Sequence, residues 1–253
     1  MALPRVMPCL LYDGAALVKT VRFKKPAYIG DPINAVKIFN EKEVDELVVL
    51  DIAAAKRGTG PDLRMVLGVA SECFMPFAYG GGVRSVRDVE ALIGRGVEKV
   101  IVNTLLLRSP GVVAEAVREF GSSSIVGSVD YRRVIVGGVR VHSASGERAP
   151  RDVVAHCRAI SEDVGVGEIL LQSADRDGTW AGYDLGTTRA VADAVSVPVV
   201  VAGGAGSVQD VCALFETTRA TGAALGSMSV YQKRGMGVLI SFPPRAALLG
   251  PDA

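Results

Sequence analysis

Histidine is nearly missing from this chain. Only His142 and His156 occur in 253 residues, and they have no metal-ligand spacing. A histidine triad and a histidine-built metal site are both disfavoured, and neither a metal nor a cofactor is expected. Cysteine is scarce as well. Cys9, Cys73, Cys157 and Cys212 lie far apart and form no C-x-x-C pair, which reads as reduced, mostly buried thiols in a cytosolic setting. An excess of one charge is also lacking, since 28 Lys and Arg against 27 Asp and Glu leave a net charge of +1. Phosphate-backbone binding needs a concentrated basic surface, so nucleic acid is not an expected partner. The short basic cluster at 22–25 is a solvated loop or a contact for an anionic substrate. No apolar run reaches membrane-spanning length, and no N-terminal stretch joins a basic end to an apolar segment. No membrane association is therefore expected, and the expected location is the cytoplasm. The mean hydropathy of +0.32 then reflects interior strands.

What the chain does contain is a second copy of itself. PFAYGGGVRSVRDV begins at Pro76 and PVVVAGGAGSVQDV at Pro198, an offset of 198 − 76 = 122. The same offset carries ELVVLDI, from Glu46, onto EILLQSA, from Glu168. Copies this distant do not belong to a short solenoid repeat and read as a duplicated half-domain. Short β-branched runs at 6–11, 46–51, 76–79, 100–103, 124–130, 168–173, 198–202 and 223–226 are strand candidates. Helical patterns fall near 32–44, 62–72, 86–95, 110–120, 151–164, 184–195 and 208–220. Several of the strand runs are apolar almost throughout, as in a parallel sheet covered on both faces. Eight such units predict an α/β fold, a single (β/α)8 TIM barrel domain over 1–253, with half-barrels of about 1–122 and 123–253. An open doubly wound sheet is the alternative. The stretch 134–150, with Gly137-Gly138, reads as a loop insertion or a hairpin after the fifth strand. The tail beyond Gly235, with Pro243-Pro244, is irregular.

Barrel ligands bind beyond the C-terminal ends of the strands. Gly80-Gly81-Gly82 and Gly203-Gly204 fall there, each before a helix starting near Ser85 or Ser207. Glycine turns into helix N-termini expose backbone N–H groups to an anion. The next strand ends, Asn103-Thr104 and Gly226-Ser227, complete two expected phosphate cradles on opposite sides of the mouth. One glycine run alone would simply make a tight turn; two symmetric copies favour a ligand with a phosphate at each end. Asp130 ends the fifth strand and is the foremost catalytic candidate, although Arg132 or Arg133 could pair with it. Asp175 and Asp177, in DRDGT with Gly178, either act in acid–base chemistry or cap their loop. Lys19, after the first strand, is placed to bind a phosphate or a developing negative charge.

The repeat also exposes a gap. Aligning the first strand, ending in CLL, with the fifth, ending in SVD, sets Leu11 opposite Asp130. A two-carboxylate site would have its second acid there. Asp13 lies two residues on and faces the same side of an extended strand, but about 6–7 Å further along.

In sequence the chain resembles the cyclase subunit of imidazole glycerol phosphate synthase. The resemblance rests on CLLYDG, GDP at 30–32, DELVVLDI, FAYGGGV, KVIVNT, GEILLQSADRDGTWAGYD and GGAGS, in this order over nearly the whole chain. It implies a barrel that pairs with a glutaminase subunit as a heterodimer. Ammonia would enter at the bottom and meet a bisphosphate ribonucleotide at the top. It implies a catalytic role for Asp130. It assigns substrate or phosphate binding to Lys19, Gly82, Asn103, Thr104, Asp177 and Gly204, beside the cradle residues Gly81, Gly178, Gly203, Gly226 and Ser227. It also implies an ammonia gate of Arg5, Glu46, Lys99 and Glu168.

Leu11 departs from the family, which has a second catalytic aspartate there; Gln172 and Ala202 are smaller departures. The segment CLLYDGAALVKTVRFKKPAYIGDPINAVKIFNEKEVDELVVLDI and the tail ALGSMSVYQKRGMGVLISFPP are similar to a branch that modifies surface polysaccharides. In that branch a glutaminase-like subunit and the barrel supply ammonia to a third protein, which turns an N-acetyl group on a nucleotide-linked sugar into an acetamidino group. The expected function is therefore the ammonia-receiving barrel of such a system, with a phosphorylated or nucleotide-sugar ligand. The histidine-pathway cyclase is the alternative. The sister isomerase and a phosphate-binding regulatory scaffold are weaker ones.

Overall fold

The computed structural model describes residues 4–135 and 138–249. In chain order the first half runs β1 (Arg5–Tyr12), β2 (Leu17–Val21), β3 (Lys24–Gly30), α1 (Pro32–Glu41), β4 (Leu47–Asp51), α2 (Ala54–Arg57), α3 (Leu63–Glu72), β5 (Phe77–Gly80), α4 (Val86–Ile93), β6 (Lys99–Val102), α5 (Thr104–Arg108) and α6 (Pro110–Phe120). The second half runs β7 (Ile125–Val134), β8 (Gly138–Val141), α7 (Val153–Ala159), β9 (Glu168–Ser173), α8 (Leu185–Ala192), β10 (Val199–Ala202), α9 (Val208–Thr217), β11 (Gly222–Leu225), α10 (Ser227–Val230) and α11 (Arg245–Leu249). Strands β1, β4, β5, β6, β7, β9, β10 and β11 pair side by side in parallel, and β11 returns to β1 through Arg5–Gly222 to Pro8–Leu225. The sheet is closed, which makes the fold a (β/α)8 barrel and excludes the open sheet.

The repeat holds at the level of single hydrogen bonds. Ser85 and Ser207 both cap their helices, accepting from Asp88 N and Asp210 N. Asp62 and Asp184, also 122 apart, cap α3 and α8 through Met65 N and Thr187 N. These side chains accept otherwise unpaired first-turn donors, which fixes where each helix begins. Two apolar layers follow from strand alternation. One set of side chains packs outward under the helices. The other set, including Met7, Cys9, Val48, Ile101, Val126, Leu170 and Val200, fills the barrel interior.

Two hairpins rise from the top of the barrel. The insertion after the fifth strand is one of them, with β8 antiparallel to β7 from Tyr131–Val141 to Val134–Gly138; Gly137 lies outside the described residues. The other, β2–β3, falls where the sequence pattern suggested only a loop, because β3 is exposed and interrupted by Pro26, which blurs its alternation. The outer ring is thinnest at its eighth place. There α10 spans four residues, and the chain, broken by Gly235, Gly237, Pro243 and Pro244, turns helical again only at α11. Phe242 anchors this stretch edge-on against Phe39 of α1.

Candidate functional site

Register settles which residues are symmetric. In the first half Cys9 pairs with Val48 and Leu11 with Leu50; in the second, Ser128 pairs with Leu170 and Asp130 with Gln172. Leu50 and Gln172 differ by 172 − 50 = 122, so Leu11 and Asp130 are structural counterparts. Both side chains line a cavity of about 290 Å³ at the mouth.

Asp130 is buried there, and desolvation drives its pKa up to about 7; a hydrogen bond from Asn103 opposes the shift and the Asp177 charge adds to it. A carboxyl poised near neutrality can take or give a proton. Neither Arg132 nor Arg133 neutralises it: Arg132 pairs with Asp175 at 3.5 Å and Arg133 with Asp184 at 3.9 Å. Asp13 does not stand in for the missing acid, because its Oδ1 accepts from Ala15 N and Ala16 N in its own turn. The opposing wall is instead apolar, with Leu11, Leu50 and Ile101.

The expected site residues fall into two groups. Gly81, Gly82, Asn103 and Thr104 line the cavity with Asp130. Lys19, Asp177, Gly178, Gly203, Gly204, Gly226 and Ser227 occupy the other side of the mouth. There Lys19 Nζ donates to Asp177 Oδ1 at 2.5 Å, both side chains being buried, and Thr20 Oγ1 donates to Asp177 Oδ2 at 2.6 Å. The backbone N–H of Arg22 donates to the Asp177 carbonyl and that of Phe23 to its Oδ2, so this residue fastens the β2–β3 turn across the mouth through both its main chain and its carboxylate. Gly178 lies so close under Thr20 and Val21 that a Cβ would collide with the Thr20 carbonyl, and a Cβ on Gly226 would stand 3.1 Å from Lys19 Cε. Asp175 sits on the rim, accepting from Arg133 N at 2.6 Å.

The N-terminal donors of α4 and α9, expected to face an anion, are partly taken by Ser85 and Ser207. The short helices α5 and α10 begin at Thr104 and Ser227 with no side-chain cap on Asn103 or Gly226. These are the helix starts beside the cradles. The glycine turns matter for close approach: Gly82 packs on Gly60 and Gly204 on Gly182, again 122 apart, and both have positive φ.

Sequence reasoning missed Asp51, Ser128 and Ser145, all on the cavity wall. Asp51 ends β4 at the mouth, the same signal that singled out Asp130. Its Oδ1 accepts from Ala53 N and Ala54 N, and its Oδ2 pairs with Arg57 at 3.0 Å. Ser145, from the loop after β8, accepts from Thr104 Oγ1 at 3.2 Å; nothing local in the sequence announces that contact.

At the opposite end of the barrel, Arg5, Glu46, Lys99 and Glu168 form one closed ring. Arg5 pairs with both glutamates, and Lys99 Nζ lies 2.8 Å from each. Burial disfavours the charged Arg5 guanidinium, but Glu168 and Glu46 outweigh it and raise its pKa. Two positive and two negative charges balance, as partly buried ions must. Above the ring the interior is the apolar column of Met7, Val48, Val126 and Leu170. Among the described residues no cluster of His, Cys, Asp or Glu could hold a metal, and no helix is long and apolar enough to cross a membrane.

Comparison with known proteins agrees with this architecture. The "Putative imidazole glycerol phosphate synthase subunit hisF2" of Pseudomonas aeruginosa is 46% identical over 239 residues, covering 94% of this chain and 95% of its own. The imidazole glycerol phosphate synthase subunit HisF of Streptococcus sanguinis is 40% identical over 229 residues, 90% of each chain. The subunit of that name from Mycobacterium tuberculosis is 43% identical over 211 residues, 81% of this chain and 79% of its own. These three names point to imidazole glycerol phosphate synthase and not to a sugar-modifying enzyme. With the histidine biosynthesis protein family matching residues 5–234, the chain belongs to that family and is HisF-like within it.

Proposed function

We propose that the chain is the ammonia-using, cyclase-type barrel of an amidotransferase complex of the imidazole glycerol phosphate synthase kind, joined at its bottom to a glutaminase subunit. The observation that carries this reading is the alignment of three features along the barrel axis. A ring of balanced charges closes the bottom, an apolar column fills the interior, and a carboxyl with a pKa near 7 stands at the top. Neutral ammonia crosses an apolar interior more readily than ammonium, because an uncompensated charge is costly in low dielectric. At the mouth Asp130 accepts a proton from the attacking nitrogen or donates one to a departing oxygen. The cradle of Gly81, Gly82, Asn103 and Thr104 holds one phosphate. Lys19, with Gly204, Gly226 and Ser227, takes the other once the β2–β3 turn yields. Steady-state turnover of the bisphosphate ribonucleotide with ammonium salts tests this directly; no turnover by the pure barrel would overturn it.

A second reading is favoured by one residue. Leu11 removes the acid that a paired-carboxylate cyclisation would use, which supports a site that hands ammonia on, for amidine formation on the N-acetyl group of a nucleotide-linked sugar with a third protein. Transfer of labelled amide nitrogen from glutamine to such a sugar in the reconstituted system, with no ribonucleotide turnover, would decide for it.

A further inference from the structure

The ring at the bottom is closed electrostatically, but its two sides are not built alike. Glu168 begins β9, whose ladder with β7 starts at Val126–Glu168 itself. The ladder between β1 and β4 starts only at Cys9–Val48, the counterpart of Ser128–Leu170. Two rungs are therefore missing beneath the Arg5–Glu46 side. The cause lies in the sequence. Backbone N–H groups alternate in direction along a strand. Arg5 N donates to Thr221 O, toward β11, so Val6 and residue 8 face β4. Residue 8 is proline and has no N–H to give. The other donor on that side, Val6 N, goes to a side chain, Asp45 Oδ2, at 2.8 Å. The second oxygen of Asp45 is paired with Arg245 of α11. The position 122 residues on is Gly167, which has no side chain and whose N–H donates to the Ser122 and Ile125 carbonyls.

We infer that Asp45 is a positioning residue for the ring, replacing by its side chain the rungs that Pro8 denies the sheet. It holds the residue after Arg5 and precedes Glu46, so it sets the separation of the two strands that carry these charges. The Arg5–Glu46 side is thus the side of the ring that can part, and Arg245 ties the C-terminal helix to its closure. The placement stands on geometry alone; its consequence for ammonia rests on the function proposed above.

The test is Asp45→Ala against Asp45→Asn, in the full chain. Asparagine keeps a carbonyl acceptor for Val6 N–H and loses the ion pair, whereas alanine loses both. Exchange of the Arg5 guanidinium protons, followed by NMR on arginine-labelled protein, should quicken about tenfold or more in Asp45→Ala and change little in Asp45→Asn, as loss of a hydrogen bond to a charged acceptor implies. Unaltered Arg5 exchange in folded Asp45→Ala would overturn the inference. Asp45→Ser serves the same comparison should the alanine variant not fold. In the heterodimer with the glutaminase, Asp45→Ala should lower glutamine-driven turnover while ammonium-driven turnover persists, a split that a merely structural role would not produce. A wild-type heterodimer without glutamine-driven turnover would count against the function, and the exchange measurement would still decide the role of Asp45.

Discussion

The two half-barrels share caps, glycine contacts and register, yet they differ at the places where chemistry is expected. At the mouth the first strand presents Leu11 and the fifth presents Asp130. Across the same mouth, the first-half cradle opens onto the cavity, while the second is occupied by the Lys19–Asp177 pair. At the bottom the order reverses, with the second half laddered by backbone and the first held by Asp45. What is common to the halves maintains the fold, and what differs is where each half has been given a separate task.

The largest expected effect comes from removing the acid that only one half retains. Asp130→Asn should cut ammonium-driven turnover by about 10²–10⁴, measured at steady state; a loss below about tenfold would mean that Asp130 does not transfer the proton. The next comes from the occupied cradle. Lys19→Ala leaves Asp177 buried without its cation and should destabilise the protein by about 3–5 kcal/mol in urea unfolding. Lys19→Ala with Asp177→Asn should recover much of that loss. An equal loss in the double variant would show that the ion pair is not what holds the β2–β3 turn.

The third concerns pH. The Asp130 carboxyl titrates at about 7 when folded, against 3.8 ordinarily. The native state therefore binds the extra proton between these values, and stability falls as pH rises through that window. The full penalty, a few kcal/mol at about 1.4 kcal/mol per pH unit, is reached above pH 7. Unfolding curves of wild type and Asp130→Asn should diverge across that window, with the variant gaining relative stability at high pH; parallel curves would place the titration elsewhere. The smallest and most informative effect is that of Leu11→Asp, which restores symmetry at the mouth. A second buried carboxyl should cost about 1–3 kcal/mol and push the pair's first ionisation apart from its second. If it also raises ribonucleotide turnover, the cyclase reading gains; if not, the apolar wall belongs to another acceptor.

Much of this was legible because period and repeat are written locally. Near-continuous apolar runs gave the eight barrel strands, and the segment at 153–164 ends in a π-helical turn without leaving its expected bounds. Asp130 was found because it ends an apolar strand. Asp51 obeys the same rule, but its carboxylate is engaged by Ala53 N, Ala54 N and Arg57. Lys19 could be noticed but not placed, since its partner Asp177 is 158 residues away. The β2–β3 hairpin was hidden for a related reason: its stability comes from contacts with the loop after β9, not from its own alternation. Side-chain bridges such as Asp45 to Val6 leave no periodic trace at all.

The seam between β1 and β11 has a consequence for how the molecule comes into being. Its four rungs join residues more than 200 positions apart, so closure demands contacts of high sequence separation, which form slowly. On the ribosome the strand carrying Arg5 emerges well before its partner and waits, one edge unpaired, until Gly222–Leu225 arrive. An edge exposed that long invites wrong partners, and its shortness, four rungs, makes it a poorer template for them.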